Sequence, residues 1–180
     1  MITIDQKNQY QKKASFLFNN ANISTTKQQI ESIEIADFNL SDFEKIGLSI
    51  FKKNKLKDKF IKEIAILPNQ TCPQHMHPIV SNNTGKEETL ICRWGVLYLY
   101  VNGQKNNIKA RIPKGKDETF TVFNEIILYP NDKYTILPET WHWFQAADNG
   151  AVVTSISNIT TESKDIFKDL KISRFTKIHS

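Results

Sequence analysis

Cysteine is scarce in this sequence, with only Cys72 and Cys92 among 180 residues. Two cysteines do not supply the disulfide framework of a small secreted protein, and a chain of this length can bury a hydrophobic core without one. Cys72 precedes His75 by three residues, so a Cys-x-x-His half of a zinc site is one interpretation. We favour the other, in which both are ordinary strand cysteines in a reducing compartment.

Long apolar runs are also missing. No stretch approaches the roughly 18 consecutive apolar residues of a membrane-spanning helix, and the first residues, Met1 to Gln9, contain no apolar leader. We therefore expect a soluble, cytoplasmic protein with no membrane partner. Glycine is limited to six residues, and Gly85-Lys86 lacks the glycine frame of a phosphate-binding loop.

A formal net charge of +5 raises the question of a nucleic-acid partner. The lysines, however, are scattered among Asn, Gln and Glu, and the one dense basic segment, residues 52–57, contains no interleaved aromatic residue. Surfaces that bind single-stranded nucleic acid combine basic side chains with aromatic ones. We predict that the basic segment is a solvated turn and that the protein does not bind nucleic acid.

Hydrophobic periodicity divides the chain into a helical beginning and a strand-rich remainder. Residues 5–19 have a helical pattern, and Ser41 with Glu44 predicts a capping box and a short helix to about residue 50. From residue 58, short apolar segments alternate with turn residues, and Asn102-Gly103 predicts a type I′ hairpin. The clearest predicted strands cover residues 60–67, 89–101, 120–129, 134–138 and 151–157.

Many short strands separated by turns are typical of a β-sandwich or barrel. We therefore predict an all-β-dominated fold with three parts in one structural domain. Residues 1–57 form an N-terminal helical arm packed on the barrel. Residues 58–160 form the barrel with the functional site, and residues 161–180 form a C-terminal tail.

Three of the four histidines fall in a pattern typical of metal ligands. His75 and His77, at positions i and i+2 of a predicted strand, point to the same face and can reach one ion. Glu88 and His142 lie in later strand-like segments and add a carboxylate and a third imidazole. This donor set suits Mn²⁺, Fe²⁺, Co²⁺, Ni²⁺ or Zn²⁺. Glu87 is the alternative carboxylate, because strand alternation lets only one of these neighbours face inward.

The spacing of these residues resembles the two sequence motifs of the cupin superfamily. His75-x-His77, Glu88 and Gly95 follow the first motif, with a longer gap than usual between His77 and Glu88. His142 follows the second motif. The spacing to Gly95 favours Glu88 over its neighbour as the ligand.

Two asparagines occupy positions that are glycine in these motifs. Asn69 stands at the start of the first motif and Asn131 at the start of the second. Asparagine is the residue that best replaces glycine where a turn needs positive φ. We expect both asparagines to lie in tight turns.

Across residues 5–175 the chain resembles the short form of D-lyxose ketol-isomerase, a metal-dependent sugar isomerase with the cupin fold. The most specific matching pieces are His75-Met-His-Pro78 and His142-Trp-Phe-Gln145. The matching stretches as a whole are residues 42–48, 67–78, 85–88, 92–95, 110–113, 134–145, 150–153, 165–167 and 172–174.

The resemblance implies a cupin fold (a double-stranded β-helix or jelly-roll barrel) and a homodimer. It also implies that His75, His77, Glu88 and His142 bind a divalent metal, with Mn²⁺ expected first and Zn²⁺, Co²⁺, Ni²⁺ or Fe²⁺ as alternatives. The implied reaction interconverts D-lyxose and D-xylulose, and D-mannose and D-fructose, by proton transfer through an enediol.

The chain departs from this family at one catalytic position. After the stretch that matches residues 150–153, family members continue with a small residue and then a glutamate proposed as the catalytic base, whereas this chain has Thr154-Ser155. A serine cannot take a carbon-bound proton unaided. Glu125, on a neighbouring predicted strand, is one alternative source of the carboxylate. The other alternative is a cupin that binds or senses a sugar without efficient turnover.

Lys86 is a second catalytic candidate. It lies two residues before Glu88 and therefore on the same strand face as this ligand. The alternative is an ordinary surface lysine in the loop that precedes Glu88.

Aromatic residues around His142 suggest a sugar-binding face. Trp141, Trp143 and Phe144 either stack on sugar C–H bonds or pack in the barrel core. Phe144, Gln145 and Arg93 are the candidate substrate-binding residues, the latter two through sugar hydroxyls. A weaker alternative to the isomerase is an iron-dependent dioxygenase, because Fe²⁺ on the same ligands suits O₂ chemistry.

Overall fold

The first helix begins at a capping box and packs against the sheet along one apolar face. In the computed structural model, which describes residues 1–52, 56–80 and 84–179, helix α1 spans Ile4–Asn20. Thr3 and Gln6 exchange side-chain to backbone hydrogen bonds at its start. Leu17 and Phe18 are among its buried residues. The helix predicted over residues 5–19 is confirmed.

A second capping box, formed by Thr26 and Gln29, opens the short helix α2, Lys27–Glu31. The strands follow the β-branched and aromatic segments of the sequence. Within the described residues they are β1 (Ile2–Thr3), β2 (Glu34–Ala36), β3 (Leu48–Lys52), β4 (Phe60–Ile66), β5 (Thr71–Met76), β6 (Glu88–Val101), β7 (Asn124–Leu128), β8 (Lys133–Ile136), β9 (His142–Ser157), β10 (Ile166–Phe167) and β11 (Ile178–His179).

Two long strands organise the main sheet. Strand β9 pairs with β5 through its first half, with β4 through its second half, and with β6 along most of its length. Strand β6 also pairs with β8 at its beginning and β7 at its end. All these pairings are antiparallel, so the long strands curl and the sheet wraps around an interior. The predicted strand-dominated barrel architecture is confirmed.

The sheet separates apolar clusters that lie on its two sides. The interior cluster contains residues such as Leu90, Leu97 and Phe144, whose side chains point inward from β6 and β9. Phe18 of α1 belongs to a cluster on the outside of the sheet. A third cluster surrounds the buried Trp143. Alternation along β9 therefore sends Trp143 and Phe144 to opposite faces.

Both asparagines at motif glycine positions have positive φ. Asn69, between β4 and β5, has φ of 57°, and Asn131, between β7 and β8, has φ of 76°. Gly95 has φ of 74°, and a Cβ at this position would lie 2.1 Å from the carbonyl oxygen of Gly150. The turn prediction is confirmed, and the backbone contact explains why Gly95 must lack a side chain.

The helix predicted from Ser41 is wrong. Ser41 has φ of 59°, whereas a residue that caps a helix N-terminus has extended backbone. The Ile46 amide donates to Asp42, but Ile46 then bridges to Thr71, which ends the single turn. The following apolar residues form β3 because they pair with both β2 and β4. Tertiary strand pairing overrides the local capping signal.

The type I′ hairpin predicted at Asn102-Gly103 is also wrong. Val101 at the end of β6 pairs with Asn124 at the start of β7, so residues 102–123 separate the two strands. The Asn102 side chain instead accepts a hydrogen bond from the Trp141 amide. As a result, β7 begins later than the strand predicted over residues 120–129.

The two ends of the chain contribute to the sheet. Strands β2 and β3 of the predicted arm extend it beyond β4, and β10 of the predicted tail pairs with β5. Residues 53–55 of the basic segment and residues 81–83 of the loop before Glu88 lie outside the described residues. Among the described helices, none is long and apolar enough to cross a membrane.

Candidate active site

Strand register brings three histidines together inside the barrel. His75, near the end of β5, is the Cα partner of His142, the first residue of β9. His77 follows directly after β5. The nitrogen ligand atoms of the three rings lie within 4.8 Å of one another, and all three residues are buried. The predicted histidine cluster therefore exists in the fold.

Each ring is oriented by a hydrogen bond through its Nδ1 atom. His75 Nδ1 donates to the Pro73 carbonyl at 2.9 Å, and His142 Nδ1 donates to the Thr140 carbonyl at 2.9 Å. His77 Nδ1 donates to Asp165 Oδ1 at 2.7 Å. These bonds leave the three Nε2 atoms available as ligands, which is the usual arrangement behind metal-binding histidines.

One of these nitrogens is buried without a partner in the part of the chain that the structure describes. His142 Nε2 is buried and accepts no hydrogen bond from the described residues. An unsatisfied buried polar atom costs about 1–3 kcal/mol, which a bound ion would offset. Glu88 Oε2 lies 3.0 Å from His77 Nε2 and adds a carboxylate beside the cluster. Three imidazoles and one carboxylate fit a divalent transition metal.

Burial keeps two of the rings neutral. Burial and the nearby His77 ring lower the pKa of His142 to about 3, and burial with the neighbouring rings holds the pKa of His75 well below its usual range. A neutral imidazole is the form that binds a metal. Burial would raise the pKa of Glu88, but the Lys86 ammonium and the His77 ring hold it well below its usual range. Glu88 is therefore an ionised donor.

Strand alternation decides between the two neighbouring glutamates. Glu88, the first residue of β6, is buried, whereas Glu87 is exposed. Lys86 is 2% exposed, and its Nζ lies 3.3 Å from both His77 Nε2 and Glu88 Oε1. The surface-lysine interpretation of Lys86 is therefore wrong, and this ammonium is part of the cluster.

Cys72 lies beside the cluster without joining it. Its Sγ is 3.9 Å from His75 Nδ1, the ring nitrogen that already faces a carbonyl. Burial raises the pKa of the Cys72 thiol well above its usual range, so the sulfur stays protonated. The interpretation as an ordinary buried cysteine is the one the geometry supports.

The cluster forms one wall of a cavity that is otherwise lined by both apolar and charged side chains. Phe144 lines this cavity from β9, together with aliphatic side chains of β3 and β4. An apolar wall opposite charged groups suits a sugar, whose C–H faces pack on apolar side chains while its hydroxyls form hydrogen bonds. Phe144 is the one candidate substrate-binding residue that the structure places in the cavity.

The tail supplies site residues that the sequence alone did not reveal. Asp165 orients His77, and the Phe167 ring stacks on His75 with centroids 5.6 Å apart. Glu162 and Arg174 also line the cavity. The match of residues 165–167 to the related isomerases was the available signal, but it did not indicate that the tail reaches the histidine cluster.

Lys62 is a further lining residue that the sequence did not reveal. It points inward from β4 and is 7% exposed. Burial and the nearby Lys86 ammonium lower its pKa to about 8. The sequence pattern of this strand predicted only that the Lys62 side chain shares a sheet face with apolar neighbours.

Ser155, at the position where the family resemblance implies a glutamate, lies at the cluster. It is 1% exposed, and its hydroxyl donates to Glu88 Oε1 at 2.5 Å. The residue therefore helps to hold the Glu88 carboxylate. It brings no negative charge of its own.

The structure does not bring Glu125, Arg93 or Gln145 to the cavity. Glu125 lies on β7, where its carboxylate accepts hydrogen bonds from the Tyr100 hydroxyl and the Lys109 amide. Arg93 is exposed on the outer face of β6. Gln145 is buried on β9 with its amide bonded to the Arg111 backbone and to the Thr71 hydroxyl.

Two tryptophans near His142 also lie away from the cavity. Trp143 stacks on Tyr100 with ring centroids 4.0 Å apart, and its indole N–H donates to the Val122 carbonyl. Trp141 packs against the third cluster, which surrounds Trp143. Core packing, rather than sugar stacking, is the role the structure gives to these two rings.

Solved structures identify the architecture. The L-ribose isomerase of Acinetobacter sp. DL28, solved in complex with L-ribose, superimposes with a TM-score of 0.78 over 99% of this chain and 98% of that chain, at 14% sequence identity. The ligand-free L-ribose isomerase of Cellulomonas parahominis gives a TM-score of 0.77 with the same coverage, at 12% identity. The fold is therefore the cupin fold of these isomerases.

The fold and the histidine cluster together define a cupin-fold sugar isomerase with a site able to hold a metal ion. The chain belongs to the D-lyxose isomerase family, whose sequence profile matches residues 8–180. The D-lyxose/D-mannose isomerase of Thermosediminibacter oceani is 41% identical over 179 residues, which is 99% of each chain. The D-lyxose ketol-isomerase of Cohnella laeviribosi is 40% identical over 163 residues, 90% of each chain. The isomerase class is thus established, and the dioxygenase alternative loses its support.

Proposed function

We propose that the protein is a metal-dependent aldose–ketose isomerase that interconverts D-lyxose and D-xylulose, and D-mannose and D-fructose. The observation that carries the metal dependence is His142 Nε2, a buried imidazole nitrogen that has no partner among the described residues and lies in a cluster of three such rings. The names of the similar proteins, D-lyxose/D-mannose isomerase and D-lyxose ketol-isomerase, support these substrates.

The proposed ligands are His75, His77, His142 and Glu88. We expect Mn²⁺, although Zn²⁺, Co²⁺, Ni²⁺ and Fe²⁺ also suit three imidazoles and a carboxylate. When bound, the ion supplies electrostatic stabilisation for negative charge that develops on the sugar oxygens during isomerisation.

The surrounding residues bind the sugar and manage its protons. The Phe144 ring faces the cavity and is placed to pack against sugar C–H bonds, with aliphatic side chains beside it. The Lys86 ammonium lines the cavity beside two proposed ligands, with Nζ 3.3 Å from both Glu88 Oε1 and His77 Nε2. We assign Lys86 the transfer of a proton between the two sugar oxygens, because oxygens bound to an ion held by these ligands would lie next to this ammonium.

Turnover of D-lyxose tests this function. The purified protein with Mn²⁺ should convert D-lyxose to D-xylulose, and removal of metal by EDTA should stop the reaction. His142→Ala should lower kcat/KM by at least about 100-fold, because it removes a ligand. His179→Ala, which changes the exposed fourth histidine, should match the wild type. Absence of turnover on a panel of pentoses and hexoses with each metal would contradict the proposal.

Ser155 favours a second candidate function. Because its hydroxyl already donates to Glu88 and carries no charge, the residue cannot replace the family glutamate as a base. The second candidate is a cupin that binds or senses a sugar without efficient turnover. Sugar-dependent thermal stabilisation without formation of ketose would favour this candidate over the enzyme.

We also propose a cytoplasmic homodimer. Cys72 and Cys92 are both free and buried, which suits a reducing compartment. The homodimer rests on the resemblance to the isomerase family. Light scattering should give about twice the chain mass of 20.8 kDa, and a mass equal to one chain would contradict it.

A further inference from the structure

The site contains a buried lysine opposite the position where the family glutamate is replaced. Lys62 on β4 and Ser155 on β9 are direct cross-strand partners, and both side chains face the barrel interior. Directly opposite residues on one sheet face have Cβ atoms about 5 Å apart. A glutamate at position 155 would therefore lie beside the Lys62 ammonium, whereas serine leaves this cation without a carboxylate on that strand.

A carboxylate from the tail fills this gap. Glu162 begins a single 3₁₀ turn, Glu162–Lys164, and its Oε1 contacts Lys62 Nζ. The Glu162 side chain is 22% exposed, and the Lys62 side chain is 9% exposed. Both residues line the cavity that contains His75, His77 and Glu88. The negative charge missing at Ser155 thus reaches the same lysine from a different segment of the chain.

The other carboxylates near the cavity are already committed to neighbours. Glu88 is held by His77, Lys86 and Ser155, and Asp165 is bonded to His77 Nδ1. Glu88 is placed to bind the ion, and Asp165 is placed to orient the His77 ligand. Within the described part of the chain, the Glu162 carboxylate is bonded to Lys62 of β4 and to none of the three histidines.

We propose that Glu162 is the catalytic residue that moves the carbon-bound proton, and that Lys62 positions its carboxylate. This inference rests on the proposed aldose–ketose isomerisation and names its missing base. In this assignment, the Glu162 carboxylate of the tail takes the role of the glutamate that the family resemblance implies at position 155 of β9.

The proton transfers balance without a further reactant. In the aldose, the C2–H bond breaks, the proton passes to a Glu162 oxygen, and the bonding electrons form the C1=C2 double bond as the C1=O electrons move to O1. Glu162 then returns the proton to C1. The proton of the O2 hydroxyl ends on O1 as the C2=O bond forms. No outside oxidant or reductant takes part.

Glu162→Gln tests the assignment with Glu118→Gln as the control. Glu118 is an exposed glutamate in another 3₁₀ turn, Asp117–Thr119. Glu162→Gln should lower kcat on D-lyxose by at least about 100-fold, the usual size of a general-base contribution. The KM for D-lyxose, and the Mn²⁺ affinity by calorimetry, should change less than about threefold, because no ligand is removed. Glu118→Gln should match the wild type in each measurement.

Two more variants separate a catalytic role from a structural one. Glu162→Asp keeps the charge against Lys62 but withdraws the carboxylate by one methylene, so it should fold normally and lose about tenfold or more in kcat. Adding Ser155→Glu to Glu162→Gln restores a carboxylate opposite Lys62. This double variant should recover at least about tenfold of the lost kcat if a carboxylate near Lys62 is what the reaction needs.

Three results would overturn the assignment. They are wild-type kcat in Glu162→Gln, full kcat in Glu162→Asp, and loss of Mn²⁺ affinity in parallel with kcat in both single variants. Each of these leaves the isomerase function intact, because the wild-type protein still turns over D-lyxose. Failure of the wild-type protein to isomerise any sugar would instead contradict the proposed function itself.

Discussion

At the scale of single residues, the site depends on hydrogen-bond acceptors that fix the orientation of the three imidazole rings. The carbonyls of Pro73 and Thr140 fix two imidazoles, and a carboxylate fixes the third. The sequence predicted the three rings and Glu88 because strand alternation and motif spacing are local patterns. It could not predict Asp165, which contacts a ring 88 positions earlier in the chain. Such contacts arise only when the barrel closes.

Asp165→Asn should weaken metal binding without removing a ligand. The negative charge that raises the basicity of His77 is lost, although burial continues to oppose protonation of the ring. We expect Mn²⁺ affinity to fall about 10- to 100-fold, the usual effect of changing a residue that orients a ligand. Calorimetric titration measures this change. Asp148→Asn, at an exposed position of β9, is the control, and equal affinities of the two variants would contradict this role of Asp165.

At the scale of elements, sequence patterns succeeded where local chemistry and tertiary pairing agree. The long β6 and the helix α1 were predicted because their periodicity matches their burial. The capping pattern at Ser41 and the Asn102-Gly103 pair failed because strand pairing with distant segments determines the backbone there. The turns at Asn69 and Asn131 were predicted correctly, because each position requires only a residue that tolerates positive φ.

Asn69 provides a test of this conformational requirement. Its φ of 57° and exposed side chain mean that the backbone, rather than packing, limits the substitutions allowed. Asn69→Gly should change the free energy of unfolding by less than about 0.5 kcal/mol, whereas Asn69→Val should lower it by about 1–2 kcal/mol. Urea denaturation of the two variants measures the difference. Equal stability of the two would contradict a left-handed turn between β4 and β5.

At the scale of the whole molecule, the tail completes both the sheet and the site. Strand β10 pairs with β5, and Arg174, which lines the cavity, forms an ion pair with Glu34 of β2. Residues 161–180 were predicted as a tail, and polarity alone did not show that Glu162, Asp165 and Arg174 line the cavity.

The Glu34 ion pair predicts a pH-dependent contribution to stability. Burial would raise the pKa of Glu34, but Arg174 and Lys52 outweigh it and hold the pKa below the ordinary value of 4.5. A carboxyl with a lowered folded-state pKa stabilises the protein above its unfolded pKa and loses this effect as the pH falls through the folded value. Glu34→Gln should therefore cost about 1–2 kcal/mol at pH 7.

The difference between wild type and Glu34→Gln should shrink when the pH is lowered below 4.5, because the wild-type carboxyl is then progressively protonated. Urea unfolding at pH 7 and at pH 3 measures both values. Glu31→Gln, an exposed neighbour, is the control and should show no loss at either pH. A difference that stays constant with pH would contradict the ion-pair explanation.

The central claim is that the histidine cluster and its cavity isomerise an aldose by proton transfer. Its most direct test is the reaction of D-lyxose in D₂O with the Mn²⁺-loaded protein, followed by NMR. The predicted result is D-xylulose with deuterium at C1, since a proton held on a side chain exchanges with solvent. His142→Ala should form none. No D-xylulose, or D-xylulose that retains all of the original C2 hydrogen at C1, would contradict the claim.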